Sequence, residues 1–188
     1  MFRDWIFYPL IALAAAGMIA LSFGPAPWRP APAAQAGERQ DGALVFTPDA
    51  LEQIAPRGAV TSVSYAGWSP TAVRIATPPG QGEPGAATPA AQLQLTGDAG
   101  QALAGKALIV ELLVRPVPLS TAPNLAVAIT RGGAQSWART EIGAEPALVT
   151  LKFAAAPGPV DAIALYPINP SKDRPLSVEI GEIRVRTF

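Results

Sequence analysis

The 188-residue sequence contains no cysteine and no histidine. These absences exclude disulfides, thiol nucleophiles, Cys/His zinc sites and every catalytic arrangement in which histidine is the base. Net charge is also absent, since fourteen Lys and Arg residues balance fourteen Asp and Glu residues. A nucleic-acid-binding protein carries a basic patch or stripe. We therefore expect no metal, no cofactor and no nucleic-acid partner.

Charged residues are missing altogether from one long apolar run near the N-terminus. Residues 5–24, WIFYPLIALAAAGMIALSFG, contain no Asp, Glu, Lys or Arg. A helix of about twenty residues spans the roughly 30 Å hydrocarbon core of a bilayer. Trp5 and Tyr8 at one end, and Trp28 beyond the other, suit the two headgroup layers. We predict a transmembrane signal anchor at residues 5–24, preceded by a cytoplasmic tail at residues 1–4.

A cleavable signal peptide is the alternative explanation of this run. Ala34-Gln35-Ala36, before Gly37, matches a small-x-small processing site. However, the run exceeds the usual apolar region of about 7–15 residues, and a proline-rich stretch separates it from that site. A retained anchor is therefore favoured. The short tail before it predicts a single-pass inner-membrane protein whose folded domain faces the periplasm.

Small residues recur at every fourth position of the predicted anchor. They are Ala12, Ala16, Ala20 and Gly24. This spacing places them on one helix face, where a second helix can approach closely. They are candidates for helix packing, and the alanine-rich composition of the whole chain is the alternative explanation.

Proline and glycine divide the rest of the chain. Residues 25–42, PAPWRPAPAAQAGERQDG, carry four prolines in their first eight positions. This composition predicts an extended stalk. Residues 43–188 are long enough for one core and predict one domain. Within it, residues 77–90 (TPPGQGEPGAATPA) predict a long surface loop.

The domain shows the period-two alternation of half-buried strands, in short runs bounded by turn residues. A two-glycine turn at Gly132-Gly133 predicts a hairpin. Only Asp49–Ala55 has a helical opening, with Asp49 as its cap. The predicted fold class is all-β, a jelly-roll-like antiparallel β-sandwich preceded by one transmembrane α-helix. Strands are predicted around Val63, Val73, Leu93, Val127, Trp137, Leu151 and Val178, and over residues 107–115.

The last strand changes its inward face part-way along. Leu176, Val178 and Ile180 occupy even positions, whereas Ile183 and Val185 occupy odd ones. One extra residue reverses the alternation of a strand. We therefore predict a β-bulge at Gly181-Glu182.

The order of these patterns resembles a known family. It runs from Leu103-Ala104-Gly105-Lys106 into a long strand, through Gly132-Gly133 with Trp137 and the run 150–153, to the final strand 178–185. Over residues 40–188 this resembles the jelly-roll type of carbohydrate-binding module among the galactose-binding-like sandwiches. The resemblance implies sugar binding by aromatic rings. It also implies a structural calcium held by an acid of the last strand, but glycine occupies that position, and we expect no metal site.

Three residues are ligand-binding candidates: Trp68, Trp137 and Arg139. Trp137 precedes Arg139 by two residues, so that a strand would place the ring and the guanidinium on one face. The alternative for Trp137 is a structural role in the core or at its rim. Trp68 lies in a turn, where it marks a binding edge or plugs the end of the sandwich.

Three function classes remain open. The leading one is a non-catalytic, membrane-anchored periplasmic interaction or scaffold domain with an envelope protein partner. The alternative is a carbohydrate-binding module for an envelope or secreted polysaccharide. The third, a glycosidase-like enzyme, requires two carboxylates about 5–9.5 Å apart. The acids considered for that pair are Glu111, Glu141, Glu179 and Glu182, and Glu111 is otherwise expected to pair with an arginine such as Arg139 or Arg74.

Overall fold

The computed structural model describes residues 35–85 and 90–188. Within those ranges the chain forms eleven β-strands and two short helices. The strands are β1 (Glu38–Gln40), β2 (Ala43–Phe46), β3 (Val60–Ala66), β4 (Ser69–Thr77), β5 (Ala91–Gln94), β6 (Leu108–Pro116), β7 (Asn124–Arg131), β8 (Ala134–Glu141), β9 (Ala147–Phe153), β10 (Ala162–Ile168) and β11 (Leu176–Thr187). The helices are α1 (Pro48–Leu51) and α2 (Gly97–Ala102). The predicted all-β class is confirmed.

The described strands form two antiparallel sheets. The larger sheet is built around β11, which pairs with β6 on one side and with both β4 and β2 on the other. β3 extends the sheet from β4, β1 extends it from β2, and β9 extends it from β6. The smaller sheet has the order β5-β10-β7-β8.

The two sheets share one apolar core. In β6, every second side chain from Leu108 to Val114 faces this core and is at most 2% exposed. Leu125, Val127 and Ile129 of β7 contribute the same period-two pattern from the smaller sheet. The alternation in the sequence therefore identifies the inward faces, and the β-sandwich is confirmed.

The predicted bulge in the last strand is also confirmed. The pairing of β11 with β6 shifts register between Ile180 and Glu182. The reason for glycine at position 181 is space rather than backbone conformation, because the φ angle of Gly181 is not positive. A Cβ atom at Gly181 would lie 3.1 Å from Leu113 Cδ2.

Replacing Gly181 with alanine is expected to be mild. Leu113 Cδ2 is the end of a flexible side chain and can move, so we expect a loss of at most about 1 kcal/mol in the free energy of unfolding. Urea denaturation measures this loss. Gly143→Ala is the control, since a Cβ atom there meets nothing within 4 Å. A several-fold larger loss at Gly181 would contradict this account of the bulge.

The turn predicted at Gly132-Gly133 joins β7 to β8. Both glycines have positive φ, +53° and +82°. Positive φ at both central residues defines the type I′ turn that joins twisted strands. The predicted hairpin is confirmed.

The predicted helix Asp49–Ala55 is wrong in its boundaries. α1 begins at Pro48 with Thr47 as its N-cap, because proline suits the first helical position. The Glu52 carboxylate accepts a hydrogen bond from the Tyr65 hydroxyl at 2.9 Å rather than closing a capping box. This contact raises the pKa of Tyr65.

Part of the predicted stalk, residues 25–42, belongs to the fold. Gln35 N–H donates to the Gln94 carbonyl at 2.8 Å, and Thr96 N–H donates to the Gln35 carbonyl at 2.9 Å. β1 then pairs with β2. Residues 35–42 therefore form backbone hydrogen bonds along the edges of β5 and β2. The composition of these residues did not indicate this pairing. The remaining predicted stalk, residues 25–34, lies outside the described residues.

The predicted anchor, residues 5–24, also lies outside the described residues, together with Ala12, Ala16, Ala20 and Gly24. Among residues 35–85 and 90–188, no helix has both the length and the apolar character required to span a membrane.

Candidate functional site

The outward face of the smaller sheet has a floor of alanines. Outward positions of β7 and β10 alternate with the core residues of the same strands. Four of these outward positions are alanines, Ala126, Ala128, Ala162 and Ala164, each at most 2% exposed. We call these four residues the alanine floor. Their methyl groups leave the centre of the sheet low relative to the larger side chains beside it.

Larger side chains stand on both sides of the alanine floor. The register aligns Gln92, Ala164, Ala128 and Trp137 in one row across the four strands. The next row contains Gln94, Ala162, Thr130 and Gln135. Directly paired residues of antiparallel strands share a face. Glutamines of β5 therefore flank the floor on one side, and Gln135 and Trp137 of β8 flank it on the other.

Two aromatic rings meet over this face. The centroids of Trp137 and Tyr166 lie 6.3 Å apart with their planes at 75°, an edge-to-face contact. Tyr166 is 3% exposed, whereas Trp137 is only half-buried. Burial raises the pKa of the Tyr166 hydroxyl above its ordinary value.

Three buried polar atoms on this face lack a hydrogen-bond partner within the described part of the chain. They are Trp137 Nε1, Gln135 Oε1 and Thr130 Oγ1. Thr130 is paired directly with Gln135, and Trp137 is two residues further along β8, so the three atoms belong to adjacent rows. A buried polar group left unpaired costs about 1–3 kcal/mol. A donor, an acceptor and a hydroxyl of this kind match the hydrogen-bonding groups of water or of a neutral ligand.

One end of this face is crossed by residues 81–83, which we call the strap. The Tyr166 hydroxyl donates to Gln81 Oε1 at 3.5 Å, and Arg139 Nη1 pairs with Glu83 Oε1 at 2.7 Å. The register places Tyr166, Ala126 and Arg139 in a single row. Since the strap contacts both ends of this row, it passes over the sheet from β10 to β8.

The three sequence-predicted ligand residues do not come together. Trp137 and Arg139 share the outward face of β8, as predicted. Arg139 is paired with Glu83 of the strap, and both side chains are largely exposed. Trp68 is in the turn between β3 and β4 of the larger sheet and is 98% exposed. The interpretation of Trp68 as a plug at the sandwich end is wrong, because a plug would be buried.

Sequence reasoning missed most of this face. Thr130, Gln135, Gln92 and Tyr166 were not singled out. The available signal was the alternation of alanines with large apolar residues in β7 and β10. Consecutive outward positions that are alanine mark a low stretch of the sheet surface beside larger side chains.

Three of the acids considered for catalysis are on the larger sheet, and each is bonded to another side chain. Glu111 is bonded to Arg186 and Glu182 to Arg184. Glu179 accepts from the Ser64 hydroxyl at 3.1 Å. Glu141 is on β8 of the other sheet.

The arginine partners expected for Glu111 are wrong. The partner of Glu111 is neither Arg139 nor Arg74, because β6 pairs with β11, which carries Arg186. No group of three or more potential metal ligands occurs in the ranges that the structure describes.

Neither a family model nor a curated protein matches the sequence. Among solved structures, the chain is similar to a low-affinity xylan-binding module, CBM86, from Roseburia intestinalis, with 14% identity and a TM-score of 0.51. The similarity covers 78% of this chain and 96% of that module. The two share one β-sandwich fold.

Two further solved structures are matched at lower scores. One is a family 29 carbohydrate-binding module, with 14% identity, a TM-score of 0.41 and coverage of 82% of both chains. The other is a xylan-binding domain of family 22, with 9% identity, a TM-score of 0.42, and coverage of 79% of this chain and 88% of that one. The β-sandwich fold predicted from the sequence is the fold of the CBM86 module.

Proposed function

We propose that this protein binds a neutral polysaccharide on the outward face of its smaller sheet. The observation that carries the proposal is the cluster of unpaired polar atoms, Trp137 Nε1, Gln135 Oε1 and Thr130 Oγ1, beside the alanine floor. Sugar hydroxyls donate and accept hydrogen bonds and so match all three atoms. The fold shared with a xylan-binding module supports the same function.

The composition of the face favours a neutral sugar. Gln92, Gln94, Gln135 and Thr130 are polar but uncharged, and the guanidinium of Arg139 is neutralised by Glu83. The small floor allows a sugar ring to approach the sheet, and the Trp137 ring offers a surface for stacking.

Side-chain rotation gives access to the unpaired atoms. Thr130, Gln135 and Trp137 are each partly exposed as residues, although the unpaired atoms themselves are buried. Turning Trp137 away from the floor exposes its N–H and uncovers part of the face, on which Ala90 and Tyr166 also pack. A sugar that takes its place then provides the missing hydrogen bonds.

Replacing Trp137 with alanine tests this function. Loss of a central aromatic contact typically costs about 2 kcal/mol or more, which corresponds to at least a tenfold weaker Kd. The full chain in detergent is first screened for binding to a panel of soluble xylans, glucans and mannans. The Kd for each glycan that binds is then measured by titration calorimetry. Trp137→Phe keeps a ring but removes the N–H, and an intermediate loss is expected.

Trp68→Ala is the matched control. It removes the same side chain from a site on the other sheet, so glycan binding should be unchanged. The proposal is contradicted if no glycan in the panel binds, if Trp137→Ala binds normally, or if Trp68→Ala weakens binding as much.

The second candidate is an interaction domain with a protein partner, held at the membrane by residues 5–24. The observation that favours it is Trp68, which is 98% exposed at a hairpin turn. Tryptophan is enriched among the residues that dominate binding energy at interfaces. Cross-linking in membranes should then capture a partner from the wild type and not from Trp68→Ala. Protease protection in intact spheroplasts tests the proposed periplasmic location.

A further inference from the structure

We infer that one end of the sandwich docks on a phospholipid surface, with Trp68 in the headgroup layer. This docking goes beyond the proposed glycan binding, which uses the outward face of the smaller sheet. Three features of the same end carry it: an exposed tryptophan, a cleft lined by two cations, and the point at which the described chain begins. We call the end at which Gln35 and Lys106 lie the entry end.

Backbone pairing places Gln35 and Lys106 at one end. Gln35 N–H donates to the carbonyl of Gln94, the last residue of β5, at 2.8 Å. Gln94 lies in the same row of the smaller sheet as Thr130. Arg131, the next residue of β7, donates from Nη2 to the Lys106 carbonyl at 3.1 Å, just before β6 begins. The described chain and β6 therefore begin at the same end.

The turn between β3 and β4 points the same way. β11 is antiparallel to both β4 and β6, so these two strands begin toward the end of the sheet at which β11 finishes. The turn consists of Gly67 and Trp68, since Ala66 is paired with Ser69. Gly67 has a φ angle of +64°, which suits the first central position of a type II′ turn. Trp68 is therefore held at the tip of a tight hairpin, where it is 98% exposed.

Two side-chain contacts connect this hairpin to the start of the described chain. The Tyr65 hydroxyl donates to Glu52, and Gln35 Nε2 donates to Oε1 of the adjacent Gln53 at 2.8 Å. Tyr65 is itself 57% exposed. The hairpin thus presents two rings that are apolar with one polar group each, the kind of side chain that is enriched at the headgroup layers of a bilayer.

The entry end also contains a cleft of about 290 Å³ lined by Arg39 and Lys106. Within the described part of the chain, neither cation forms an ion pair with an acid. Asp41, in the turn between β1 and β2, lines a separate cleft with Arg184. A lipid phosphate in the first cleft would accept charge-assisted hydrogen bonds from both cations. Three core residues complete its lining: Leu44, Leu103 and Val185.

The predicted anchor would keep this end close to a bilayer. Since residues 35–42 belong to the fold, only residues 25–34 separate the predicted anchor, residues 5–24, from Gln35. Whatever their conformation, they span at most about 36 Å. A tether this short keeps the local concentration in the millimolar range, so that weak contacts are enough for docking.

The absence of cysteine from the sequence allows each end to be labelled separately. Ser69→Cys places a dye whose emission rises in lipid beside Trp68, and Asp173→Cys places it in the exposed turn at the opposite end. The full chain is reconstituted in vesicles of phosphatidylcholine, with and without phosphatidylglycerol. We expect several-fold higher emission at position 69 than at position 173, and quenching by lipids with spin-labelled headgroups at position 69 alone. Equal emission at the two positions would overturn the inference.

Substitutions in the Ser69→Cys chain test the contacts. Trp68→Ala should lower the emission to that at position 173, because the ring that enters the headgroup layer is gone. Arg39→Ala and Lys106→Ala should each reduce the ratio of docked to undocked protein about fivefold on vesicles with phosphatidylglycerol. Arg57→Ala, an exposed arginine before β3 at the opposite end, is the control and should change nothing. Unchanged docking in Trp68→Ala would overturn the inference, and unchanged docking in both cation variants would overturn the role of the cleft.

The same vesicles distinguish lipid from protein as the occupant of the entry end. They contain no other protein, so docking in them cannot come from the protein partner of the second candidate. Capture of a partner through Trp68 in native membranes, together with water-like emission at position 69 in vesicles, would assign Trp68 to that partner and overturn the inference. Glycan binding uses the other sheet and should be the same in Trp68→Ala, so that failure of the docking leaves the proposed function standing.

Discussion

Replacing Gly100 with alanine is expected to lower the free energy of unfolding by about 3 kcal/mol, at the upper end of the usual cost of overpacking. A Cβ atom at this position would lie 2.2 Å from the carbonyl oxygen of Val160. That oxygen belongs to the backbone, so it cannot move away as a side chain does. The Val160 N–H also donates to the Gly100 carbonyl at 3.2 Å, and separating the two segments weakens this bond.

The position of Gly100 explains the size of this effect. Gly100 is in α2, and Val160 comes two residues before β10, which forms part of the alanine floor. The close approach fixes the helix against the start of that strand. For a domain of this size, about 3 kcal/mol corresponds to a fall in Tm of roughly 10 °C. Thermal unfolding followed by circular dichroism measures it.

Gly97→Ala is the matched control in the same helix. A Cβ atom at Gly97 meets nothing within 4 Å, so the same substitution should leave Tm unchanged or raise it slightly. Equal destabilisation at the two positions would mean that a lost glycine, rather than the contact with Val160, is responsible.

Eight of the eleven described strands and the turn between β7 and β8 were predictable because their signals are local, whereas β1, β2 and β10 were not predicted. The parity change around Gly181 is a property of consecutive residues, and it located the bulge without knowledge of the partner strand. Two adjacent glycines likewise specify a type I′ turn by themselves, and the structure has that turn between β7 and β8.

The elements that sequence reasoning missed depend on distant contacts or on weak local patterns. α2 has the sequence GDAGQA, which shows no apolar period, and its only clear signal is the N-cap Thr96, whose hydroxyl accepts from Ala99 N–H at 3.3 Å. Residues 35–42 have the composition of a stalk, but they pair with strand edges that come later in the chain.

The candidate site was predictable in part for the same reason. Alternation placed Trp137 and Arg139 on one face, and the structure has them there. Whether Arg139 faces a ligand or an acid depended on Glu83, which is 56 positions away in sequence. The alanine floor required the pairing of β7 with β10, and no local pattern specifies that neighbour.

Replacing Asn169 with alanine is expected to cost at least about 3 kcal/mol, because a buried acceptor that loses its donor costs about 1–3 kcal/mol. Asn169 is fully buried at the end of β10. Its Nδ2 donates to the carbonyls of Thr77, Pro78 and Arg174 at 2.8, 3.0 and 3.0 Å, and its Oδ1 accepts from Ser171 N–H at 3.0 Å. Alanine keeps none of these bonds. Chemical denaturation gives the loss directly.

The same substitution should also loosen the strap. The Asn169 backbone N–H donates to the Gln81 carbonyl at 3.0 Å, and its side chain holds the residues just before the strap. Asn169→Asp places a buried carboxylate against three carbonyl oxygens to which it cannot donate, so its free energy of unfolding should be at least as low as that of Asn169→Ala. Asp173→Ala, in the exposed part of the same turn, should change stability by less than about 0.5 kcal/mol. Comparable losses at Asp173 and Asn169 would show that the turn as a whole, and not the buried amide, joins these segments.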